Sequence, residues 1–196
     1  MSLKTIRLGK TDLRVTQLGF GGIPIQRLKE EAAVAVVKRC LELGVNYLDT
    51  ANSYSTSEER IGKAIAGQRE KITIATKTMP GSPEMVKKNL KLSLERLKTN
   101  YIDIYQFHAV NTFKALETIL APEGLISILE EAKKVGLIKH IGITSHQIDV
   151  AKKAIQSDRF ETVMFPFNFI TPEAADVLLP ECRKHDVGFI AMKPLA

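Results

Sequence analysis

Asn46-Tyr47-Leu48-Asp49-Thr50-Ala51-Asn52-Ser53-Tyr54-Ser55-Thr56-Ser57-Glu58-Glu59-Arg60-Ile61-Gly62 is the stretch from which the fold is read. A short apolar run ends in a carboxylate, a polar loop presents a tyrosine, and a helix starts at Thr56 or Ser57 with two acids in its first turn. The hydroxyl of Thr56 or Ser57 can cap free main-chain N–H groups, and Glu58 and Glu59 suit the positive end of the helix dipole. A Thr56-x-x-Glu59 capping box is expected to fix the angle at which the loop leaves. Tyr54 is then held between a strand and a helix, as in a βα unit.

The same unit recurs on both sides. Thr5 to Leu8 and Arg14 to Leu18 flank Gly9-Lys10-Thr11-Asp12 and predict an opening hairpin, and Leu18 to Gly22 reads as a first barrel strand. Gly19-x-Gly21-x-x-Pro24 lacks the third glycine and a following helix start, which rejects a dinucleotide-binding βαβ fingerprint. Helical spacing covers 30–43, stopped by Gly44, and then 57–66. Ser82-Pro83 reads as a cap with proline at the first helical position, and Val86, Leu90, Leu94 and Leu97 form that helix's buried stripe. Residues 109–122 read as a loop with at most a helical turn. Leu125 to Val135, closed by Gly136, and Ile148 to Gln156 read as helices; Thr171-Pro172 opens another that Pro180 is expected to kink or break. Strands are expected over 45–49, 72–77, 103–108, 140–145, 162–168 and 188–194. Alternation at this spacing argues for a parallel α/β architecture, one barrel domain over 1–196. Seven strands and six helices follow the hairpin, so the barrel is expected to be incomplete, lacking a final strand and helices.

In a parallel barrel the site forms at the C-terminal ends of the strands. Asp49, Lys77 and His108 are the terminal polar residues of three consecutive predicted strands, and Tyr54 lies in the loop after the first. A phenol is a weak acid that gains from a nearby cation; Lys77 can be that cation, Asp49 can orient Lys77, and His108 can align a carbonyl oxygen. The set polarises a carbonyl and gives its oxygen a proton. None of the four can supply a hydride, so a cofactor is implied.

Asp49-Thr50-Ala51-x-x-Tyr54-x-x-Ser57-Glu58-Glu59 resembles the D-T-A-x-x-Y-G-x-S-E-E signature of the aldo-keto reductases, with Ser55 where that family usually has glycine. Asp49, Tyr54, Lys77 and His108 match the family's tetrad residue by residue. The resemblance implies a (β/α)8 TIM barrel and reduction of an aldehyde or ketone by NADPH, or by NADH in fewer members. It implies cofactor contacts at Gly21, Gly22, Asp49, Ser145 and Asn168 and along Lys193, Pro194 and Leu195. His146 stands where the family commonly has asparagine, and Met192 where many members stack an aromatic ring on the nicotinamide. By position, Ile23, Pro24, Ile25 and Val110 to Phe113 are expected to line an apolar pocket for a non-ionic small-molecule carbonyl substrate. Two other readings are a cofactor-holding protein that acts through partners, and an inactive fragment. In some relatives an iron–sulfur domain follows such a barrel.

Bulk properties exclude other classes. At 196 residues, with 44% hydrophobic and 26% charged residues, the chain can bury a sizeable core. No stretch is apolar enough to cross a membrane and the Met-Ser-Leu-Lys start has no signal core, so a cytoplasmic protein with no membrane contact is expected. The net charge of +6 and pI of about 9.3 could suit nucleic acid, but the lysines are scattered and lack interleaved aromatics. Their densest group, Lys87, Lys88, Lys91, Arg96 and Lys98, reads as the solvated face of a helix. A modest positive balance also suits a phosphorylated small molecule. Cys40 and Cys182 read as buried thiols, and His108, His140, His146 and His185 form no metal-spaced cluster with carboxylates, so no metal is expected.

Overall fold

The computed structural model describes residues 3–194. Strands β1 (Thr5–Arg7) and β2 (Arg14–Thr16) form the antiparallel hairpin, joined through a 3-10 turn at Gly9–Thr11, with Ile6 facing Val15. Seven parallel strands follow: β3 (Phe20–Gly21), β4 (Tyr47–Asp49), β5 (Thr73–Thr78), β6 (Ile102–Phe107), β7 (Ile138–Thr144), β8 (Thr162–Pro166) and β9 (Gly188–Met192). The helices between them are α1 (Glu30–Glu42), α2 (Ser57–Ala64), α3 (Pro83–Leu97), α4 (Phe113–Leu120), α5 (Leu125–Lys134), α6 (Ile148–Gln156) and α7 (Ala174–Lys184). The sheet order β3-β4-β5-β6-β7-β8-β9 repeats the chain order, and the sheet curls into an incomplete barrel. The expected fold class is borne out.

The register decides which side chains share the concave face. Gly21 pairs Asp49, Asp49 pairs Ala75, Lys77 pairs Gln106, Gln106 pairs Gly142 and Gly142 pairs Thr162. Side chains alternate along a strand, so Asp49, Lys77 and Gln106 rise from one face at the C-terminal end. The opposite face buries Leu48, Ile74 and Phe107 against the helices. At the N-terminal end of the barrel Leu8 and Val15 of the hairpin pack on Tyr47, Ala75 and Ile104 and close that mouth.

The structure revises several local expectations. Residues 109–122 contain a helix, α4, where a loop was expected: the Thr112 hydroxyl accepts from the Ala115 N–H at 3.1 Å, and Leu116 and Ile119 are buried beneath it. Its apolar period is too short to register in sequence. Pro180 neither breaks nor ends α7, because one missing N–H is outweighed by the buried face of Ala174, Leu178 and Cys182. Lys77 is followed by Thr78 within β5, and His108 lies one residue past β6. The capping box at α2 does not form: neither Thr56 nor Ser57 caps it, and the Ser57 hydroxyl donates instead to the Gly22 carbonyl at 2.8 Å. Arg96 is not solvated like the lysines around it but reaches Glu58 and the Asn52 carbonyl.

Candidate active site

Asp49, Lys77, His108 and Tyr54 meet at the C-terminal end of the sheet. Lys77, with a side chain only 1% exposed, donates to Asp49 Oδ2 at 2.6 Å and to the Thr50 carbonyl at 2.6 Å. Gln106 Nε2 lies 3.5 Å from the other carboxylate oxygen, Asp49 Oδ1. The Tyr54 ring sits 5.3 Å from Lys77 Nζ and meets the His108 imidazole edge-on, ring centroids 5.6 Å apart. His108 Nδ1 is 3.5 Å from the Ser53 hydroxyl.

The loop that presents Tyr54 is fixed along its length. Main-chain bonds run from Asn52 N to Lys77 O (3.0 Å), Tyr54 N to Ala51 O (3.0 Å) and Ser57 N to Tyr54 O (2.8 Å). Glu58, read in sequence as a partner of the helix dipole, is fully buried: it accepts from the Thr76 hydroxyl at 2.7 Å and pairs with Arg96 at 3.5 Å. Arg96 also donates to the Asn52 carbonyl at 3.1 Å, so α3 anchors the loop from behind. Glycine at 62 permits this approach, since a Cβ there would collide with the backbone of Arg96 and Leu97.

Burial and the Asp49 carboxylate push the Tyr54 phenol up to about 12. This corrects the expectation that Lys77 would favour the phenolate: its charge is already paired with Asp49. The phenol is therefore a protonated donor throughout the physiological range. Burial, then the Lys77 charge and His146, lower His108 to about 4, so its imidazole is neutral. Burial raises Asp49, opposed by Lys77 and by the Gln106 hydrogen bond.

The residues expected at the cofactor divide into two groups. Gly21 is exposed, and a Cβ on it would meet nothing within 4 Å; Gly22 is buried, its N–H donating to the Asp49 carbonyl at 2.7 Å. Ser145 is buried, and its hydroxyl is shared between Asn111 Oδ1 (3.4 Å) and the Gln147 carbonyl (3.2 Å). Asn168 Oδ1 accepts from the N–H groups of Ile170 (2.8 Å) and Thr171 (2.9 Å), while its Nδ2 donates to the Lys193 carbonyl at 2.9 Å. The latter contact joins the ends of β8 and β9. Lys193 and Pro194 are exposed; Leu195 lies outside the described residues.

Ile25 and Val110, expected in the pocket, are buried in the core instead. The apolar rim is made by Ile23, Met79, Phe113, Phe169 and Ile170, all exposed and all in loops or helix starts just past the C-terminal ends of strands. Gln106, Ser53 and Arg96 were not singled out from the sequence as part of this neighbourhood. Gln106 was within reach of such reasoning, because it shares a strand face with His108 two residues on; Ser53 carries no comparable signal. A cavity of about 710 Å³ lies elsewhere, beside Arg69, Lys91, Lys98 and Tyr101 at the opposite end of the sheet. Among the described residues no group of three or more His, Cys, Asp or Glu could hold a metal ion, and no helix is long and apolar enough to cross a membrane.

The profile of the aldo/keto reductase family matches residues 17–196. An uncharacterised oxidoreductase of Bacillus subtilis, YqkF, is 30% identical over 204 residues, covering 97% of this chain and 64% of its own length. Among solved structures, the holo form of aldo-keto reductase AKR11C1 from Bacillus halodurans superposes with a TM-score of 0.84 at 32% identity, over 96% of this chain and 65% of that one. An aldo-keto reductase from Klebsiella pneumoniae solved with NADPH gives a TM-score of 0.84 over 100% of this chain and 69% of its own, a likeness of fold at 22% identity. The chain spans between 60% and 66% of the length of four curated relatives that it matches.

Proposed function

The chain belongs to the aldo/keto reductase family, and from that premise we propose that it reduces an aldehyde or ketone to the alcohol with NADPH or NADH, Tyr54 giving the proton to the carbonyl oxygen. One observation carries this reading: a protonated phenol is brought edge-on to a neutral imidazole and over a buried lysine that is itself held by a carboxylate.

The residues present fit a nicotinamide cofactor. The tetrad has no group able to carry a hydride, Gly21 leaves open space at the end of β3, and Lys193 offers an exposed cation just past β9. Gly21, Gly22, Asp49, Ser145, Asn168, Lys193, Pro194 and Leu195 would hold it, Ser145 and Asn168 largely by fixing the loops they bind. The cofactor, when bound, supplies the hydride.

The protein's own part is proton delivery and orientation. With Nδ1 accepting from the Ser53 hydroxyl, the neutral His108 presents its Nε2–H to the carbonyl oxygen. The Tyr54 phenol donates the proton, while Lys77, paired with Asp49, lies against its ring. Asp49 keeps Lys77 within the site, and Gln106 and the Thr50 carbonyl fix both partners. The apolar rim of Ile23, Met79, Phe113, Phe169 and Ile170 favours a non-ionic carbonyl compound with apolar substituents.

Tyr54→Phe is the direct test. Turnover of an aldehyde and ketone panel, followed by NADPH absorbance, is expected to fall about 10²- to 10⁴-fold, with the unfolding free energy changed by less than about 1 kcal/mol. Retained turnover overturns the proposal. A wild-type protein whose melting temperature NADPH raises, yet which reduces nothing in the panel, is a holder of the cofactor and not a reductase.

A further inference from the structure

Ser55 follows the tyrosine and occupies a backbone conformation with φ +38°, in the left-handed region that favours glycine. Its hydroxyl donates to Gln26 Oε1 at 3.0 Å. Gln26 belongs to a 3-10 turn, Pro24–Arg27, in the connection from β3 to α1. Three other contacts seat that connection on the tyrosine stretch: Gly22 N–H to the Asp49 carbonyl, Ser57 Oγ to the Gly22 carbonyl, and the Arg60 guanidinium to the Ile25 carbonyl. Those three involve buried groups. The Ser55–Gln26 bond is exposed, and it alone reaches the residue next to Tyr54.

We infer that the Ser55–Gln26 hydrogen bond is a positioning clasp: it ties the first βα connection to the tyrosine loop, and so sets the bearing of the Tyr54 phenol and the width of the mouth beside Ile23. The inference rests on the reading of Tyr54 as proton donor. A glycine at 55 would adopt this backbone more readily but could not tether the turn. The hydroxyl thus accounts for a serine held in this conformation. Because the bond is open to water, its loss changes a local equilibrium and not the fold, by about two- to tenfold for a single hydrogen bond.

Ser55→Gly, Gln26→Ala, Gln26→Glu and the double variant Ser55→Gly/Gln26→Ala of the full chain separate these roles. Two readouts are used: amide hydrogen exchange of residues 23–28, and kcat and KM for a small and a bulky ketone. Ser55→Gly and Gln26→Ala are each expected to speed exchange about two- to tenfold and to lower kcat by a similar factor, with the melting temperature nearly unchanged. Gln26→Glu, which keeps an acceptor oxygen, restores both, and the double variant is no worse than either single one. Wild-type exchange in Ser55→Gly, failure of Gln26→Glu to rescue, or additive losses in the double variant overturn the clasp. A wild-type protein without turnover removes the reductase reading instead, and exchange then decides the clasp alone: unchanged rates in Ser55→Gly refute it, and faster rates rescued by Gln26→Glu uphold it.

Discussion

A buried carboxylate meets a cation at 2.6 Å, with a tyrosine ring close by, at each end of the same sheet. At the N-terminal end Asp103 accepts from Arg69 (2.6 Å), Lys139 (3.0 Å) and the Ile74 N–H (3.0 Å), and Tyr101 lies 4.0 Å from both cations. The Arg69 guanidinium is spent on Thr99, Tyr101, Ile72 and Asp103 together. At the C-terminal end Asp49 has one close cation and a long contact to Gln106, and the Tyr54 phenol makes no hydrogen bond among the described residues. Saturation separates the two. Asp103, held by three donors within 3.0 Å, joins strands, whereas Asp49 has one close donor and stands beside the Tyr54 phenol and the His108 imidazole. The 710 Å³ hollow adjoins the Asp103 cluster and not the end that holds Tyr54.

If the lower cluster is a fastener, removing its carboxylate should be the costliest change. Asp103→Ala leaves Arg69 without its anionic partner in a largely buried site and is expected to cost about 3–5 kcal/mol in urea unfolding, while turnover per folded molecule stays near wild type. A loss of turnover exceeding the loss of folded protein would erase the distinction between the two ends. The upper cluster is expected to show itself in pH dependence. Folding lowers His108 from 6.5 to about 4, so the unfolded chain binds more protons between those values; stability is full above about pH 6.5 and falls as pH drops toward 4. Allowing for partial solvent screening, this is on the order of 1–2 kcal/mol, and it should vanish in His108→Gln. A slope that survives the substitution assigns the titration elsewhere. The loss from Glu161, which His140, Lys133 and the Ile141 N–H hold at about 2 against its burial, lies lower, between pH 4.5 and about 2. An effect of similar size is expected of Tyr101→Leu, which removes two cation–π contacts worth about 0.5–1 kcal/mol each and leaves kcat unchanged. A kcat effect there would mean that the lower end reaches the chemistry.

The strands and the meeting of Asp49, Lys77 and His108 were legible because both follow from period and type: alternation along β4, β5 and β6 puts Asp49, Lys77 and the residue after Phe107 at one mouth. The second layer was not legible. Glu58 read as a partner of the helix dipole and Arg96 as a solvated charge, and only the close approach of α2 to α3 at Gly62 turns them into a buried pair. Ser57 looked like a cap and is instead a strut to Gly22. The sign of the Tyr54 shift was misjudged for a related reason: sequence places a cation near a phenol but does not show that a carboxylate has already claimed it. Helix α4 escaped because two buried residues, Leu116 and Ile119, are too few to make a period.

The order of the sheet has a consequence for the growing chain. From β3 onward each strand lies beside the one made just before it, so each βα unit can settle on its predecessor as synthesis proceeds. The hairpin is the exception. Arg7 bonds Asp186 across 179 residues, and the backbone of Gly9 lies against that of Gly188. The hairpin, made before the parallel strands, thus waits for β9 before Leu8 has its full cover, and a nascent chain stalled short of residue 186 would offer that hairpin to chaperones and proteases while the middle of the barrel was already built.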